Sequence, residues 1–455
     1  MKTDNKSLQL AIEAWDGCAG LRKRRERYKR FTYGDQWGDV HQSGKTDGEA
    51  AEEMGYRPMT NNLIRQLVKS VVGLYRRDIG KKWGGTDRET AEMNSIEEID
   101  ARTLEEFLIS GCAIQRVTTE RRIEGAGVWV DPVSPARFFV NSFRDPRGRD
   151  IEVIGMIHEM NPKEIAMRFG DCDPLKTAEI ERALGRNGGD DSKECLTASI
   201  RRGREPVIEL WTLEGRELMK CHDPESGTVF TSPASEWWKV VLENDRRAKA
   251  EKPMRQIETR RFNTLRWHCK WLLTTGEELK EYDSPWPHGL HPFAVKFFPL
   301  TDGETHSFVE DVTEQQKCVN RMVTLIDKIL SVSAKGALLF PIDRKPNDVS
   351  WNQIAENWSR PGGIIPFKGS DRSDEPKQIS GGGDQSGATS LLDIQMRMIE
   401  QVSGVTSALQ GRDTTANTSA ALYDAKTKNA TTALVDVLES FETFIVARNR
   451  LIANS

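Results

Sequence analysis

Little in this 455-residue chain marks an enzyme. Its seven cysteines, at 18, 112, 172, 195, 221, 269 and 318, include no Cys-x-x-Cys pair. An odd, scattered set argues against a disulfide framework and for buried reduced thiols. Cys221-His222 and His268-Cys269 are adjacent pairs, but neighbours in an extended strand point to opposite faces and rarely share one metal ion. His158-Glu159 does not extend to His-Glu-x-x-His, and no Gly-x-Ser-x-Gly occurs. The triplet Gly381-Gly382-Gly383 is not a dinucleotide fingerprint, since no strand pattern precedes it. No apolar run approaches the roughly 18 residues of a membrane span. The opening MKTDNKSLQLAIEAWDG lacks the apolar core of a signal peptide, so a protein made and used in cytosol is expected. Charge is also nearly balanced, with 65 bases, 69 acids and a net charge of −4. Any nucleic-acid contact must come from local patches. No catalytic residue, cofactor or metal is expected.

One near-miss is instructive. Gly44-Lys45-Thr46 ends like a phosphate-binding P-loop, which needs Gly-x-x-x-x-Gly-Lys-[Ser/Thr] between a buried strand and a helix. Asp39 stands where the first glycine belongs, and Gly38 is one residue too far. A carboxylate there repels phosphate, and the upstream residues are charged rather than strand-forming. A polar surface loop is the expected reading.

What is present is a mixed α/β, helix-rich pattern. Residues 6–31 read as a helix carrying the basic run Arg22-Lys23-Arg24-Arg25-Glu26-Arg27, either a nucleic-acid arm or a solvated face or one meeting an acidic neighbour; Glu26 and the interleaved aromatics favour the latter two. Residues 58–80 form a strong helix capped by Thr60 or Asn61, and 89–110 a second one. Alternating segments then imply strands, with a short capped helix at 162–170, a linker at 187–192 and a charged helical excursion in SEWWKVVLENDRRAKAEKP. Residues 1–308 are thus expected to form one α/β body.

From 309 the character changes. Residues 309–335 form one long amphipathic helix with Val312, Val319, Met322, Val323, Ile326, Ile329 and Leu330 on one broad face. At about 100° per residue, Lys317, Arg321, Lys328 and Lys335 align within about 40° on the other side. Such a stripe is either a solvated face or a contact for a polyanion. Residues 336–385 read as short strands and turns. A helix follows over roughly 387–402, then the polar loop LQGRDTTANTS and a long helix from about Ser419. Leu422, Leu434, Leu438, Phe441 and Ile445 form its seam.

Taken in order, several short segments resemble the portal proteins of tailed bacteriophages. They are Tyr33-Gly34-Asp35-Gln36-Trp37, Asn61-Asn62-Leu63-Ile64 with Val72-Gly73, VSPARFFVN at 133–141 and MNPKEIAMRFG at 160–170. Gln401-Val402-Ser403-Gly404-Val405 and Thr418-Ser419-Ala420-Ala421 complete the series. The resemblance implies a wing at 1–308, a first stem helix at 309–335, a clip at 336–385 and a second stem helix at 386–404. A tunnel loop at 405–419 and a tunnel helix at 420–455 would follow, leading to a reduced or truncated crown.

It further implies a non-enzymatic ring, dodecameric in this family, at a capsid vertex of the virion, assembled in host cytoplasm. The ring would serve as channel for genome packaging and ejection. Implied partners are double-stranded DNA bound without sequence preference, the terminase large subunit, capsid or scaffold protein, and head-completion or tail adaptor proteins, with no membrane. Lys317, Arg321, Lys328 and Lys335, with Thr414, Thr415, Asn417 and Thr418 of the loop, are the expected DNA-facing residues. Duplex DNA carries one charge per about 1.7 Å, so a lumen needs some positive charge but not a grip. Arg344, Lys345, Trp351, Trp358 and Arg360 are the expected partner-binding clip residues. Since ATP hydrolysis belongs to the terminase in such systems, residues 38–46 should bind no nucleotide. Two other readings stay open: a metal-dependent DNA-processing enzyme using Asp131, Asp145 and Asp150, and a helical scaffold or adaptor.

Overall fold

The computed structural model describes residues 2–40, 43–78, 86–186, 203–250, 255–286, 289–333, 337–359, 363–369, 375–379, 385–405 and 432–454. Helices α1 (Asn5–Gly17), α2 (Ala19–Tyr33), α3 (Asp47–Glu53) and α4 (Leu63–Asp78) open the chain, followed by α5 (Arg88–Asn94) and α6 (Ile96–Ser110). The single helix expected over 6–31 is broken at Cys18, and that over 89–110 at Ser95, whose φ of 51° is left-handed. A residue in that conformation cannot continue a right-handed helix.

Strands β1 (Cys112–Arg121), β2 (Ala126–Pro132), β3 (Phe138–Val140) and β4 (Val153–Met160) come next, then α7 (Pro162–Phe169) and α8 (Pro174–Arg186). Beyond lie β5 (Glu205–Asp223), β6 (Thr228–Pro233), α9 (Trp237–Ala248), β7 (Glu258–Leu273) and β8 (Glu278–Asp283). β9 (Phe293–Phe297), β10 (Pro299–Thr301) and β11 (Glu304–Thr305) follow. The main sheet is antiparallel in the order β3-β4-β5-β7-β8, with β6 also on β5; β2-β1-β9 form a second sheet.

The chain divides into two compact units. The first comprises Met1–Arg25, Tyr75–His306 and Val437–Ser455; the second comprises Glu26–Leu74 and Ser307–Asp436. This division differs from a continuous 1–308 body. Residues 26–74 go with the later helices, and the C-terminal helix goes with the sheets, because contacts between sequence-distant residues override chain order.

In the first unit, α1 lays Ala11, Ala14 and Trp15 on Phe139, Ile157, Ile208, Leu210 and Leu272 of the sheet. A larger core gathers Phe138, Phe169, Trp211, Trp271 and Phe293. Within it Arg116, Glu209 and His158 form a buried ionic cluster, with Arg116 Nε 3.0 Å and His158 Nε2 2.7 Å from Glu209 Oε2. Burial works against ionisation of Glu209, but the Arg116 charge and hydrogen bonds from His158 and Trp211 hold its carboxyl at about 2. Burial likewise depresses His158, only partly opposed by Glu209. Cys269 is paired across to Trp211 and buried, while the neighbouring His268 bonds Asp283 on the other face. The alternation expected for a strand therefore separates the Cys-His pair.

The motifs that carry the resemblance have structural work in this fold. Asn141 closes VSPARFFVN by accepting from the N–H groups of Glu152 and Val153 at 2.9 and 3.0 Å. Asn161 and Glu164 form a capping box on α7, with Pro162 in its first turn.

The second unit holds α3, the long helix α10 (Phe308–Ser333), β12 (Ala337–Leu339), α11 (Trp351–Ser359), β13 (Lys377–Ile379) and α12 (Gln385–Ser403). β12 pairs antiparallel with β13, and α12 packs on α10. The stretch 336–385 is thus not only strands and turns. It contains α11, announced by Ser350 and Gln353, which cap reciprocally at 3.2 and 2.8 Å. Gly404, at φ 65°, follows α12, and a Cβ there would lie 2.4 Å from that of Ala433. In the first unit, α13 (Val435–Ala453) begins after a turn at 433–434 rather than running unbroken from 419. Leu438, Phe441 and Ile445 of the expected seam are buried along it, as is Leu434 in the turn; Leu422 lies outside the described residues.

Candidate nucleic-acid interface

Helix α10 carries the expected basic stripe, so its surroundings decide what each charge does. Ser307 and Glu310 cap its start reciprocally, at 3.1 and 3.4 Å. With 26 residues it is about 39 Å long. Its buried face is partly polar. Gln316 Oε1 accepts from the N–H groups of Leu63 and Ile64 at 3.0 and 3.3 Å, while its Nε2 donates to Asn61 O at 2.7 Å. One turn on, Asn320 accepts from the Asn61 N–H at 3.0 Å and donates to Gln36 Oε1 at 2.6 Å. A further turn on, Thr324 accepts from the Met59 N–H at 3.1 Å.

This ladder supplies the partners that the backbone before α4 would otherwise lack. It also accounts for Gln36 and Asn61-Asn62 in the resembling motifs: Gln36 donates to Phe31 O and to Asn62 Oδ1 at 2.8 and 3.1 Å. The apolar-face reading missed these polar positions. Their i, i+4, i+8 spacing was visible, but nothing in the sequence says which backbone segment they meet.

The four cations of the stripe do not share one environment. Lys317 Nζ lies 2.6 Å from Asp39 and 3.6 Å from Asp47, with its side chain 14% exposed. Burial opposes ionisation of Asp39, yet hydrogen bonds from Arg27 and Lys317 hold its carboxyl below the ordinary range. Lys317 is therefore half of an internal ion pair in this subunit, which the stripe reading did not anticipate. Arg321 is exposed, with no side-chain hydrogen bond or ion pair among the described residues. Lys328 donates to the Gly55 carbonyl at 2.7 Å and sits over the Tyr56 ring. Lys335, Thr414, Thr415, Asn417 and Thr418 lie outside the described residues.

Of the clip residues, Lys345 donates to the carbonyls of Pro346 and Val349 and lies 5.9 Å from the Trp351 ring centroid. Trp351 is 46% exposed and packs edge-on against Phe340. The Arg344 carbonyl accepts from the Lys368 N–H at 2.8 Å, and Trp358 is half-buried on α11. Arg360 lies outside the described residues.

The competing features are consumed internally. In the α2 basic run, Arg22 lies 3.6 Å over Trp15, Arg25 pairs with Glu106 at 2.7 Å and Arg27 with Asp39 at 2.8 Å. The run is part solvated, with Lys23 and Arg24 exposed, and part a face that meets aromatic and acidic neighbours. In the near-miss P-loop, Thr46 and Glu49 form the capping box of α3, and Lys45 pairs with Glu53 at 2.6 Å. Asp131 is engaged by Arg122 and Asp145 by Arg147, while Asp150 accepts from the N–H groups of Arg144 and Asp145. Among the described residues no three His, Cys, Asp or Glu side chains gather to hold a metal ion. None of the described helices is long and apolar enough to cross a membrane.

No curated protein matches the chain. Residues 85–452 match the family model described as phage P22-like portal protein, a span that takes in both sheets, α10, α12 and α13 but not the Tyr33–Trp37 and Asn61–Ile64 segments. A match over most of its length shows that the chain belongs to the P22-like portal protein family of tailed phages.

Proposed function

We propose that this portal protein assembles into a dodecameric ring at one capsid vertex, the channel through which the phage genome is packaged and ejected. Membership in a structural, non-enzymatic family of the phage capsid supports oligomeric assembly there. The observation that carries the reading is the family match over 85–452. In this reading 1–308 act as wing, 309–335 and 386–404 as stem, 336–385 as clip, 405–419 as tunnel loop and 420–455 as tunnel helix. Arg321 is the stripe cation best placed to meet DNA, being exposed and uncommitted among the described residues. Lys328 and Lys335 extend its row toward the clip, and Thr414, Thr415, Asn417 and Thr418 line the loop. Lys317 contributes only if Asp39 releases it. A few repeated charges, without base-reading groups, give sequence-blind attraction along which a duplex slides. Arg344, Lys345, Trp351, Trp358 and Arg360 form the clip surface for the terminase large subunit and, after packaging, for head-completion or tail adaptor proteins.

Native mass spectrometry combined with negative-stain electron microscopy tests this directly. Rings with a pore wide enough for a roughly 20 Å duplex are expected. A compact dimer without a pore overturns it.

A further inference from the structure

Two apolar surfaces of the second unit stand uncovered among the described residues. On α12, Leu391, Ile394, Met398 and Val402 are 40–50% exposed and recur at spacings of three and four. At about 100° per residue they fall on one face, roughly a quarter of a turn from the buried Ile399 that faces inward. A heptad-like apolar stripe left in water is the pattern of a helix that seats against another surface. The second surface is a groove of about 340 Å³ between α3 and α10, lined by Trp37, Ala50, Met54, Tyr56, Met322 and Leu325 together with the polar Arg321 and Thr324. Small alanines floor it and adaptable methionines wall it, a lining that accepts apolar side chains of varied shape.

We infer that the α12 stripe of one subunit seats in the α3–α10 groove of the next, so that these two faces form a repeating subunit interface. This rests on the ring reading above. Three observations select a second copy as the occupant. Portal membership implies oligomeric assembly, which supplies that copy. The stripe and groove belong to the same chain, yet neither is covered among the described residues. Different faces that complement each other make a head-to-tail contact, which closes into a ring when the rotation permits. Charges of both signs flank both faces: Glu49, Glu52, Glu53 and Arg321 at the groove, Asp393 and Arg397 on α12. The ladder of Gln316, Asn320 and Thr324 holds the backbone leading into α4 against α10, so α10 enters such a contact already anchored.

The test is cross-linking between differently marked subunits. Met54→Cys is placed in one chain and Ile394→Cys or Met398→Cys in another, all with Cys172→Ser and Cys318→Ser, and the two are co-assembled and treated with a short bis-maleimide. Met54, Ile394, Met398 and Cys172 are exposed, and Cys318 is half-buried but replaced by the near-isosteric serine, so the variants should fold. A covalent heterodimer joining the two marked chains is expected, and a ladder of higher species when both cysteines share one chain. Rings seen by native mass spectrometry without any heterodimer overturn the interface while leaving the ring intact. Absence of any wild-type assembly overturns the ring reading and this interface with it. As an independent measure, Ile394→Asp with Met398→Asp should leave thermal unfolding unchanged and abolish assembly. Rings that survive both charges overturn the proposal.

Discussion

The two units of this chain bury polar groups in different ways. In the sheet-bearing unit, charges taken out of water find partners in the same unit: Arg116 and His158 surround Glu209, and Arg448, fully buried on α13, meets Asp100 at 2.8 Å. In the helical unit the buried face of α10 is partly polar, and apolar side chains of α12 remain outside. The first unit buries charge pairs in its core, and the second buries uncharged amides and hydroxyls under α10; both leave apolar side chains in water, Trp237, Trp238 and Leu242 of α9 in the first and the α12 stripe in the second.

That contrast can be broken or sharpened by substitution. The largest effect belongs to the buried pair of the first unit. Arg448→Ala strands Asp100 in the core and should cost about 3–5 kcal/mol in urea unfolding of that unit. Equal stability of variant and parent would show that the pair is not what holds α13 to α6.

Acid should come next. Glu209 and His158 both titrate lower in the folded chain than in the unfolded one, so the unfolded chain binds more protons and stability falls as pH falls. Loss begins as pH drops through the ordinary histidine value of 6.5 and steepens between 4.5 and about 2 as Glu209 is protonated. The Glu209 contribution is on the order of 3 kcal/mol. Urea midpoints at several pH values check this, and Glu209→Gln should flatten the acid limb.

In the helical unit, Gln316→Ala leaves the Leu63 and Ile64 N–H groups without their acceptor. A loss of about 1–3 kcal/mol is expected, read as faster hydrogen exchange in 59–64 and α10 while the sheets keep their protection. Gly404→Ala should cost about 1–2 kcal/mol, from the left-handed backbone and the crowding against Ala433. Smallest for the fold is Arg321→Ala, below about 0.5 kcal/mol in thermal unfolding, since its side chain is exposed. In DNA-packaging assays the same substitution should lower packaged DNA more than Lys317→Ala, because Lys317 is already paired with Asp39. The reverse order would mean that the Lys317–Asp39 pair opens in the assembled ring.

Much of the fold was legible because its signals are local. Helical periodicity placed α4, α10 and α12 within a few residues, and Asn161-Pro162 followed by Glu164 marked the start of α7. The Ser350-x-x-Gln353 box of α11 was equally available and went unread. The breaks at Cys18 and Ser95 had only weak local signals, Gly17 and Gly20 around the first and Ser95-x-x-Glu98 at the second, and packing decides whether such a helix turns there. The candidate site was less legible than the fold. Spacing correctly puts Lys317, Arg321 and Lys328 on one side of α10, but Asp39, which pairs with the first of them, stands 278 residues away in the sequence.

The amino-acid sequence by itself therefore determined the elements and the family, since caps, periodicity and short motifs act over a turn or two of chain. The resembling segments earn their places by capping helices, closing turns and bonding backbone, which is why they point to a family without marking a binding surface. Only the tertiary structure decided which charges are spent inside the subunit and which are left over. Ion pairing and burial depend on distance in space, and the same lysine that looks free on a helical wheel is neutralised once a carboxylate from another helix lies 2.6 Å away.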